Sequence, residues 1–393
     1  MFLTKSLKDS KCCAIILESF QYYLPTKIIF GRGSLSKIGE VVSQYGKRVF
    51  LITMSDFATK YGYTEYILEK ISEKEISLYL YDEVEVGPTE SGLRKVTEIF
   101  LDSGCDIILA FGGGSVIDAA KSISLGAKLG GSIADYYYPN VVDKEVYPII
   151  AVPTTCGTGS EVTKYAIITE DSTGKKKAIL GDPLIPKVAL LDADTLKPLP
   201  KNLIASTGCD VLCHAIESFL GKKHTLFSDL YAAETSRVAF GNIIKAYNGE
   251  EDAKEHMLYE ACMGGAAINT TGTTAAHALG YYLSSKYHIP HGVATIIFLP
   301  HILTYEMASI KDRLEELARL SGFNNSDAEY FVKKLYETLG QIGVAKGLGT
   351  FGIKEEEKDK IVQEGLSFTR NLENNPVEMN EKDLSEIVQS AFE

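Results

Sequence analysis

Asp210 and His214 stand four residues apart in a stretch with helical patterning, so one helix face presents a carboxylate and an imidazole together. His277 falls in a later helical stretch. His291 follows Pro290, a placement at or just before a helix start. One carboxylate and three imidazoles suit a divalent transition metal such as Fe²⁺ or Zn²⁺. Taken singly, a histidine is more often a packing or capping residue, and most of His224, His256, His288 and His301 are expected to be structural. Spacing alone does not bring the four candidates together. Cys209-x3-Cys213 has thiolate spacing, but no second cysteine pair completes a site.

Two further segments carry chemistry. Phe111-Gly112-Gly113-Gly114-Ser115 follows an apolar strand and precedes a helix. Three glycines allow close backbone approach to an anion and permit positive φ, and a helix N-terminus adds free N–H groups and a favourable dipole. That is the physics of a pyrophosphate cradle, although the run departs from the G-x-G-x-x-G dinucleotide pattern. The plain alternative is a tight turn with Ser115 and Asp118 forming a cap. Pro153 to Glu161 is rich in hydroxyls and glycines, including Thr154, Thr155 and Thr158, and again follows a strand. In open α/β sheets ligands bind at that carboxyl edge; an ordinary polar loop is the alternative.

The elements that must position these groups divide the chain. Apolar runs at Val49–Thr53, Ile76–Tyr81, Asp106–Phe111 and Tyr147–Pro153 read as strands. Helical patterns alternate with them: Glu65–Glu73, a helix opened by Pro88 and Thr89 with Leu93, Val96 and Phe100 on one face, and Ser115–Leu129. Alternation of this kind predicts a doubly wound parallel sheet. Tyr165–Thr169, Lys177–Leu180 and Val188–Asp192 read as a small antiparallel appendage. Beyond Pro198 and Pro200 strand signals fade, and long helices are expected at Ala205–Leu220, Ser228–Tyr247, Lys254–Asn269 and Thr273–Lys286. The expected organisation is an N-terminal extension over 1–19, an α/β domain over 20–198 and an all-helical domain over 199–393.

Composition narrows the function. The chain has 393 residues, 45% hydrophobic and 23% charged, which fits a globular protein of two or three domains. A formal charge of −12 argues against nucleic acid as the main partner. Seven scattered cysteines favour a reducing cytoplasm over a disulfide framework. No apolar run approaches the roughly 20 residues that span a bilayer, and no membrane partner is expected. The apolar patch Cys12–Leu17 is too short and too late for a signal peptide.

Taken together these motifs resemble the iron-containing (type III) alcohol dehydrogenases, and among them the 1,3-propanediol dehydrogenase-like members. The resemblance runs from about Phe20 to the C-terminus. It rests on Phe30-Gly31-Arg32-Gly33; Gly112-Gly113-Gly114-Ser115-x-x-Asp118-x-Ala120-Lys121; Pro153–Thr163; Gly208-Cys209-Asp210-x-x-x-His214-Ala215-x-Glu217; His277-x13-His291-Gly292; and Asn374-Asn375-Pro376. It implies a Rossmann-like N-terminal domain, a C-terminal helical domain (the dehydroquinate synthase-like fold) and a cleft between them that holds cofactor and metal. It implies Asp210, His214, His277 and His291 as metal ligands. Gly112, Gly113, Gly114, Ser115 and Asp118 would hold the cofactor, with Thr154, Thr155 and Thr158 on its adenine and ribose side. The implied reaction is NAD- or NADP-dependent oxidation of a small alcohol or reduction of an aldehyde, in a cytoplasmic homodimer.

Two departures stand out. Many members place a histidine one helical turn after the third ligand, beside the nicotinamide and substrate; here that residue is Tyr281. NAD-preferring members often carry an acid after the first strand, bonding the ribose 2′-hydroxyl. This chain reads Ile52-Thr53-Met54-Ser55, and Asp56 comes two residues beyond Met54. Met54 thus makes NADP plausible. Dehydroquinate synthase-like and glycerol-1-phosphate dehydrogenase-like enzymes share the fold but need cationic clamps for their substrates. A non-catalytic, assembly-forming relative is a third alternative, disfavoured by the complete ligand and glycine motifs.

Overall fold

The computed structural model describes residues 19–54, 57–344 and 347–392. The N-terminal apolar patch, Ser55 and Asp56 lie outside the described residues. Among the described residues eight strands occupy the first half: β1 (Lys27–Phe30), β2 (Arg48–Met54), β3 (Ser77–Val84), β4 (Ile107–Gly112), β5 (Ile149–Pro153), β6 (Tyr165–Thr169), β7 (Lys176–Leu180) and β8 (Val188–Leu191). Six of them form one parallel sheet in the order β1-β8-β5-β4-β2-β3. The runs VFLIT, IILAFG and IIAVP are buried on both faces, as central parallel strands flanked by helices must be.

Helices Glu90–Ser103 and Gly114–Leu129 cover one face, meeting Phe50, Ile52 and Ile108. Ile38–Val42 and Tyr63–Ser72 cover the other, meeting Val49, Leu51 and Leu109. Thr89 caps the first of these helices as expected, accepting from the Gly92 N–H at 3.2 Å. The chain moves outward from β2 to β3, then returns to place β4 on the other side of β2. That reversal opens a crevice at the carboxyl ends of β2 and β4.

The expected three-strand appendage needs correction. Only β6 and β7 form an antiparallel hairpin. The segment VALL is β8, inserted between β1 and β5 in the parallel sheet. All four of its side chains are buried, a continuous apolar run rather than the alternation of a half-exposed hairpin strand. The short edge strand β1, mostly exposed, had no strand signal of its own.

From Lys201 onward the described residues carry only helices and connections. Lys201–Leu220 begins four residues before the patterned start, directly after Pro200. Helices Leu226–Tyr247, Glu251–Thr271 and Ala275–Lys286 match the expected ones within three residues at each end. Two helical stretches, Lys201–Leu220 and His291–Leu320, are long and apolar enough to cross a membrane by composition, with 89% and 61% of their apolar windows buried inside the fold. Lys201–Leu220 is apolar all round because it is the central helix of this half, packed against Leu226–Tyr247, Glu251–Thr271 and His291–Ile296. The core around it runs on to Ala189 and Leu191 of β8, so sheet and helices share packing. Arg32 adds a polar tie from the sheet side, reaching Asp252 and Glu255 at 2.7 Å each.

Candidate functional site

A cavity of about 570 Å³ lies where the carboxyl edge of the sheet meets the helices. Gly114, Ser115, Asp118 and Thr158 line its sheet side, and Asp210, His214, His277, Tyr281 and His291 its helical side. Gly112, Gly113, Thr154, Thr155 and Met54 are not among the residues that line it.

On the sheet side the two motifs face each other. The Thr154 N–H donates to the Gly112 carbonyl at 3.1 Å. A Cβ on Gly113 would lie 3.0 Å from Thr155 Cγ2, and one on Gly114 would lie 2.7 Å from Thr158 Cγ2. The glycines are thus set by close packing. None of the three uses positive φ, and Gly113 is extended at φ −79°. The following helix still presents its uncapped N-terminal N–H groups, the feature an anion needs.

The Ser115–Asp118 cap of the plain-turn alternative does not form. The Ser115 hydroxyl accepts from the Gly87 N–H at 3.1 Å. Asp118 accepts from Ser160 Oγ at 2.6 Å and from the Ile167 N–H at 3.0 Å, tying the helix to the hydroxyl loop and β6. Lys121, fully buried, donates to Ser160 Oγ at 2.8 Å and to the Tyr165 carbonyl at 2.6 Å. Burial pulls its ammonium down to about 8, with Asp118 and Glu161 opposing. The Gly159 side of the loop packs backbone to backbone on the helix Glu251–Thr271. A Cβ on Gly159, which sits at φ +61°, would lie 2.5 Å from Gly265 Cα.

On the helical side one helix places Asp210, His214 and Glu217 on one face. Three imidazole Nε2 atoms surround Asp210 Oδ1: His214 at 3.3 Å, His277 at 3.6 Å and His291 at 3.8 Å. Asp210, His277 and His291 offer donor atoms that all lie within 4.8 Å of one another; His214 Nε2 lies 3.3 Å from Asp210 Oδ1 but outside that mutually close set. Asp210 Oδ1 is buried without a hydrogen-bond partner. Donors on a common tetrahedral ion with bonds of about 2.1 Å lie roughly 3.4 Å apart, so Asp210, His277 and His291 come near the spacing of a ligand set.

The electrostatics agree with one anion held among imidazoles. Burial alone would raise the Asp210 carboxyl, but the charges of His214, His291 and His277 hold it well below the usual range. Burial pulls His214 and His291 below the ordinary imidazole value. His277 goes the other way: burial disfavours its charge, yet Glu217 and Asp210 lift it to about 9.

Glu217 is the residue whose role the sequence reading left unassigned. Its Oε2 bonds His277 Nδ1, and its Oε1 accepts from the Thr274 N–H at 2.9 Å and Thr274 Oγ1 at 2.7 Å. A carboxylate on Nδ1 fixes the ring and leaves Nε2 as the free donor. The signal was present as the seven-residue spacing from Asp210, two turns on the same face. The Asn374-Asn375-Pro376 motif supports the same region, with Asn375 Oδ1 accepting from the Ala275 N–H at 3.2 Å, two residues before His277.

Tyr281 stacks on His291, with ring centroids 5.6 Å apart, and touches Phe368 at 4.5 Å. Burial pushes its phenol up to about 12, with the Arg370 charge opposing. Met54 ends β2, in register with Val84, and packs partly buried against the core. Cys209 and Cys213 are free, buried thiols whose ionisation is suppressed by burial, so the paired spacing is structural. Of the other histidines, His224 meets Asp229 at 3.2 Å and His301 meets Ser390 at 3.0 Å, while His288 lines the cavity.

A Rossmann-like parallel sheet joined to a helical half is the architecture of solved iron-containing alcohol dehydrogenases. Residues 25–193 match the iron-containing alcohol dehydrogenase family, and residues 204–392 match the C-terminal part of the Fe-containing alcohol dehydrogenase family. The chain belongs to the iron-containing alcohol dehydrogenases. It is 29% identical to the NAD-dependent methanol dehydrogenase of Bacillus methanolicus, over 94% of this chain and 99% of that protein. It is 28% identical to the NADPH-dependent butanol dehydrogenase of Clostridium saccharobutylicum, over 95% and 98%. The solved structure of a 1,3-propanediol oxidoreductase superposes with a TM-score of 0.90 at 29% identity, over 95% of this chain and 100% of that one.

Proposed function

We propose that this chain is a metal-dependent NAD(P) alcohol dehydrogenase or aldehyde reductase, moving a hydride between a nicotinamide and a small alcohol or aldehyde. The observation that carries this reading is the convergence of three imidazole Nε2 atoms on the partnerless Asp210 Oδ1. Asp210, His214, His277 and His291 would hold one ion, Fe²⁺ or Zn²⁺, since imidazole and carboxylate suit both. Gly112 to Ser115 would take the cofactor pyrophosphate at the helix N-terminus, with Thr158 beside it and Thr154 and Thr155 bracing the glycines. Two domains meeting near 198/199 would then supply one partner each.

When bound, the metal supplies Lewis-acid activation of the substrate oxygen, and the cofactor carries the hydride. The chain's own residues orient and enclose. Glu217 holds the His277 ring so that Nε2 faces the cleft. Tyr281 forms an aromatic wall against His291. With its phenol pushed up to about 12, it keeps its proton at neutral pH and offers the substrate side a donor, not a base. Family membership favours this reaction over the cyclising lyase chemistry of the same fold. Five free, buried cysteines support a reducing, cytoplasmic setting. The β1 edge, where Ile28 and Phe30 stay exposed, offers a face for the homodimer.

The test is an aldehyde and alcohol panel run with NADH and NADPH on iron- or zinc-loaded protein, beside bound-metal analysis. Absence of turnover in every arm of stoichiometrically loaded protein sinks the reading. Cofactor choice has its own test. Met54 puts no charge where an acid would repel a 2′-phosphate, so NADPH should serve at least as well as NADH. Met54→Asp should shift the ratio of kcat/KM values toward NADH by about 5- to 150-fold. A strong wild-type preference for NADH, with no shift in the variant, would place Met54 away from the ribose.

A further inference from the structure

Four residues lining the cavity carry a buried side-chain polar atom without a hydrogen-bond partner: Asp210, His214, Ser284 and Arg370. The first two belong to the carboxylate–imidazole cluster. The other two, Ser284 Oγ and Arg370 Nη1, have no task in hydride transfer as described. Buried polar atoms are rarely left single, because each forfeits its hydration.

Arg370 is the sharper case. Its guanidinium lies over the Tyr165 ring, 4.6 Å from the centroid. That contact orients the plane but satisfies no N–H. Arg370 forms no ion pair among the described residues. The cavity offers two carboxylates, and neither pairs with Arg370: Asp118 accepts from Ser160 and the Ile167 N–H, and Asp210 sits among the imidazoles of the cluster. The cavity's other cation, Lys176, bonds Thr169 Oγ1 at 2.9 Å, and Thr169 Oγ1 bonds the carbonyl of Gly87, whose N–H meets Ser115. These bonds tie Lys176 to the glycine-motif side, from which its charge also reaches His291. The Arg370 charge acts on the Tyr281 phenol, and the Tyr281 ring meets both His291 and Phe368, which puts Arg370 toward the Asp210 cluster. A half-enclosed guanidinium with no counter-ion is costly to keep unless a ligand supplies the anion. A planar fork of donors matches an acid group's oxygens.

We propose that Arg370, aided by Ser284, binds an acid group on the substrate, so that the preferred alcohol or aldehyde of this enzyme carries a carboxylate, sulfonate or phosphonate. This rests on the dehydrogenase reading of the same cavity. The hydroxyl or carbonyl end meets the Asp210 cluster while the acid end meets Arg370.

Two measurements on metal-loaded protein separate the two readings. The first is binding without cofactor, by calorimetry, of 4-hydroxybutyrate and of its neutral analogue 1,4-butanediol; 3-hydroxypropane-1-sulfonate and 3-hydroxypropylphosphonate form the other acid arms. The second is turnover of succinic semialdehyde and of butanal. Arg370→Gln should weaken at least one acid ligand about 10- to 100-fold more than it weakens 1,4-butanediol, and should lower the succinic semialdehyde/butanal ratio of kcat/KM by at least about tenfold. Arg370→Lys should recover part of that selectivity. Arg370-dependent acid binding without any turnover would uphold the acid site and sink the dehydrogenase reading. Turnover with no acid preference, or an Arg370→Gln effect equal for charged and neutral ligands, would overturn the acid site and leave the dehydrogenase reading standing.

Discussion

At the sheet edge the cavity is formed by backbone meeting small side chains; among the helices it is formed by charged side chains meeting in a dry interior. Gly113 and Gly114 let Thr155 and Thr158 close to within van der Waals distance, and Gly159 lets the loop sit on Gly265. Helix-end N–H groups supply part of that surface's polarity, with Asp118 and Lys176 beside them. The helical side works the opposite way. Asp210, His214, Glu217 and His277 are all nearly inaccessible, and each is tolerated there because another faces it. The difference teaches where each side is fragile. The sheet side fails by crowding, the helical side by an unpaired charge.

The largest effect should come from the charged side. His277→Ala removes a donor from the cluster and leaves Glu217 buried without its main partner. Metal and activity should be lost together, the activity by roughly a thousandfold or more. Glu217→Gln keeps the shape and loses the charge, and should weaken metal binding by about 10- to 100-fold. Bound-metal analysis and calorimetric titration read both. Stoichiometric metal retained in both His277→Ala and His291→Ala would refute the ligand assignment.

One buried acid on the sheet side tests whether the contrast holds there. Glu161 is almost wholly buried in the hydroxyl loop, and its Oε1 has no hydrogen-bond partner. Burial pushes its carboxyl up from 4.5 to about 7. Between those values the folded chain holds a proton that the unfolded chain has released. Stability therefore falls as pH rises through that window, on the order of 3 kcal/mol for this group. Glu161→Gln removes the titration. The variant should gain stability relative to the parent as pH rises from 4.5 to 7.5, measured by urea unfolding at each pH. A constant difference across the range would mean that Glu161 keeps its charge, paired with Lys121.

The contrast also explains what was legible in the sequence. Strands β2, β4 and β5 are continuous apolar runs, and each could be read locally. β8 has the same character but is only four residues long and follows a hairpin, so its membership in the main sheet depended on contacts with β1 and β5. Asp210 and His214 share a helix, and their pairing needed only periodicity. That His277 and His291 reach the same point depends on His291–Ile296 packing against both Lys201–Leu220 and Ala275–Lys286, and family resemblance supplied it. Arg370 and Ser284 carried no motif. Their significance lies in partners they lack, which no single sequence expresses.

The smallest predicted effect is the most exacting for the sheet side. Three glycines permit positive φ, yet none of the three adopts it. If packing is the reason for Gly114, a methyl group there collides with the Thr158 side chain, whose Cγ2 would be 2.7 Å away. Overpacking of this kind costs about 1–3 kcal/mol. Gly114→Ala should therefore weaken NADPH binding by roughly 5- to 30-fold as the loop is pushed aside. Thr158→Ala removes the colliding atoms, although Cβ, at 3.1 Å from the added methyl, remains tight. The double variant should bind more tightly than the sum of the two single effects implies, with a coupling of about 1–2 kcal/mol. Fluorescence titration of the four proteins closes the cycle. Strict additivity would instead mean that the methyl group blocks the cofactor itself, and that Thr158 and Gly114 act on the ligand independently.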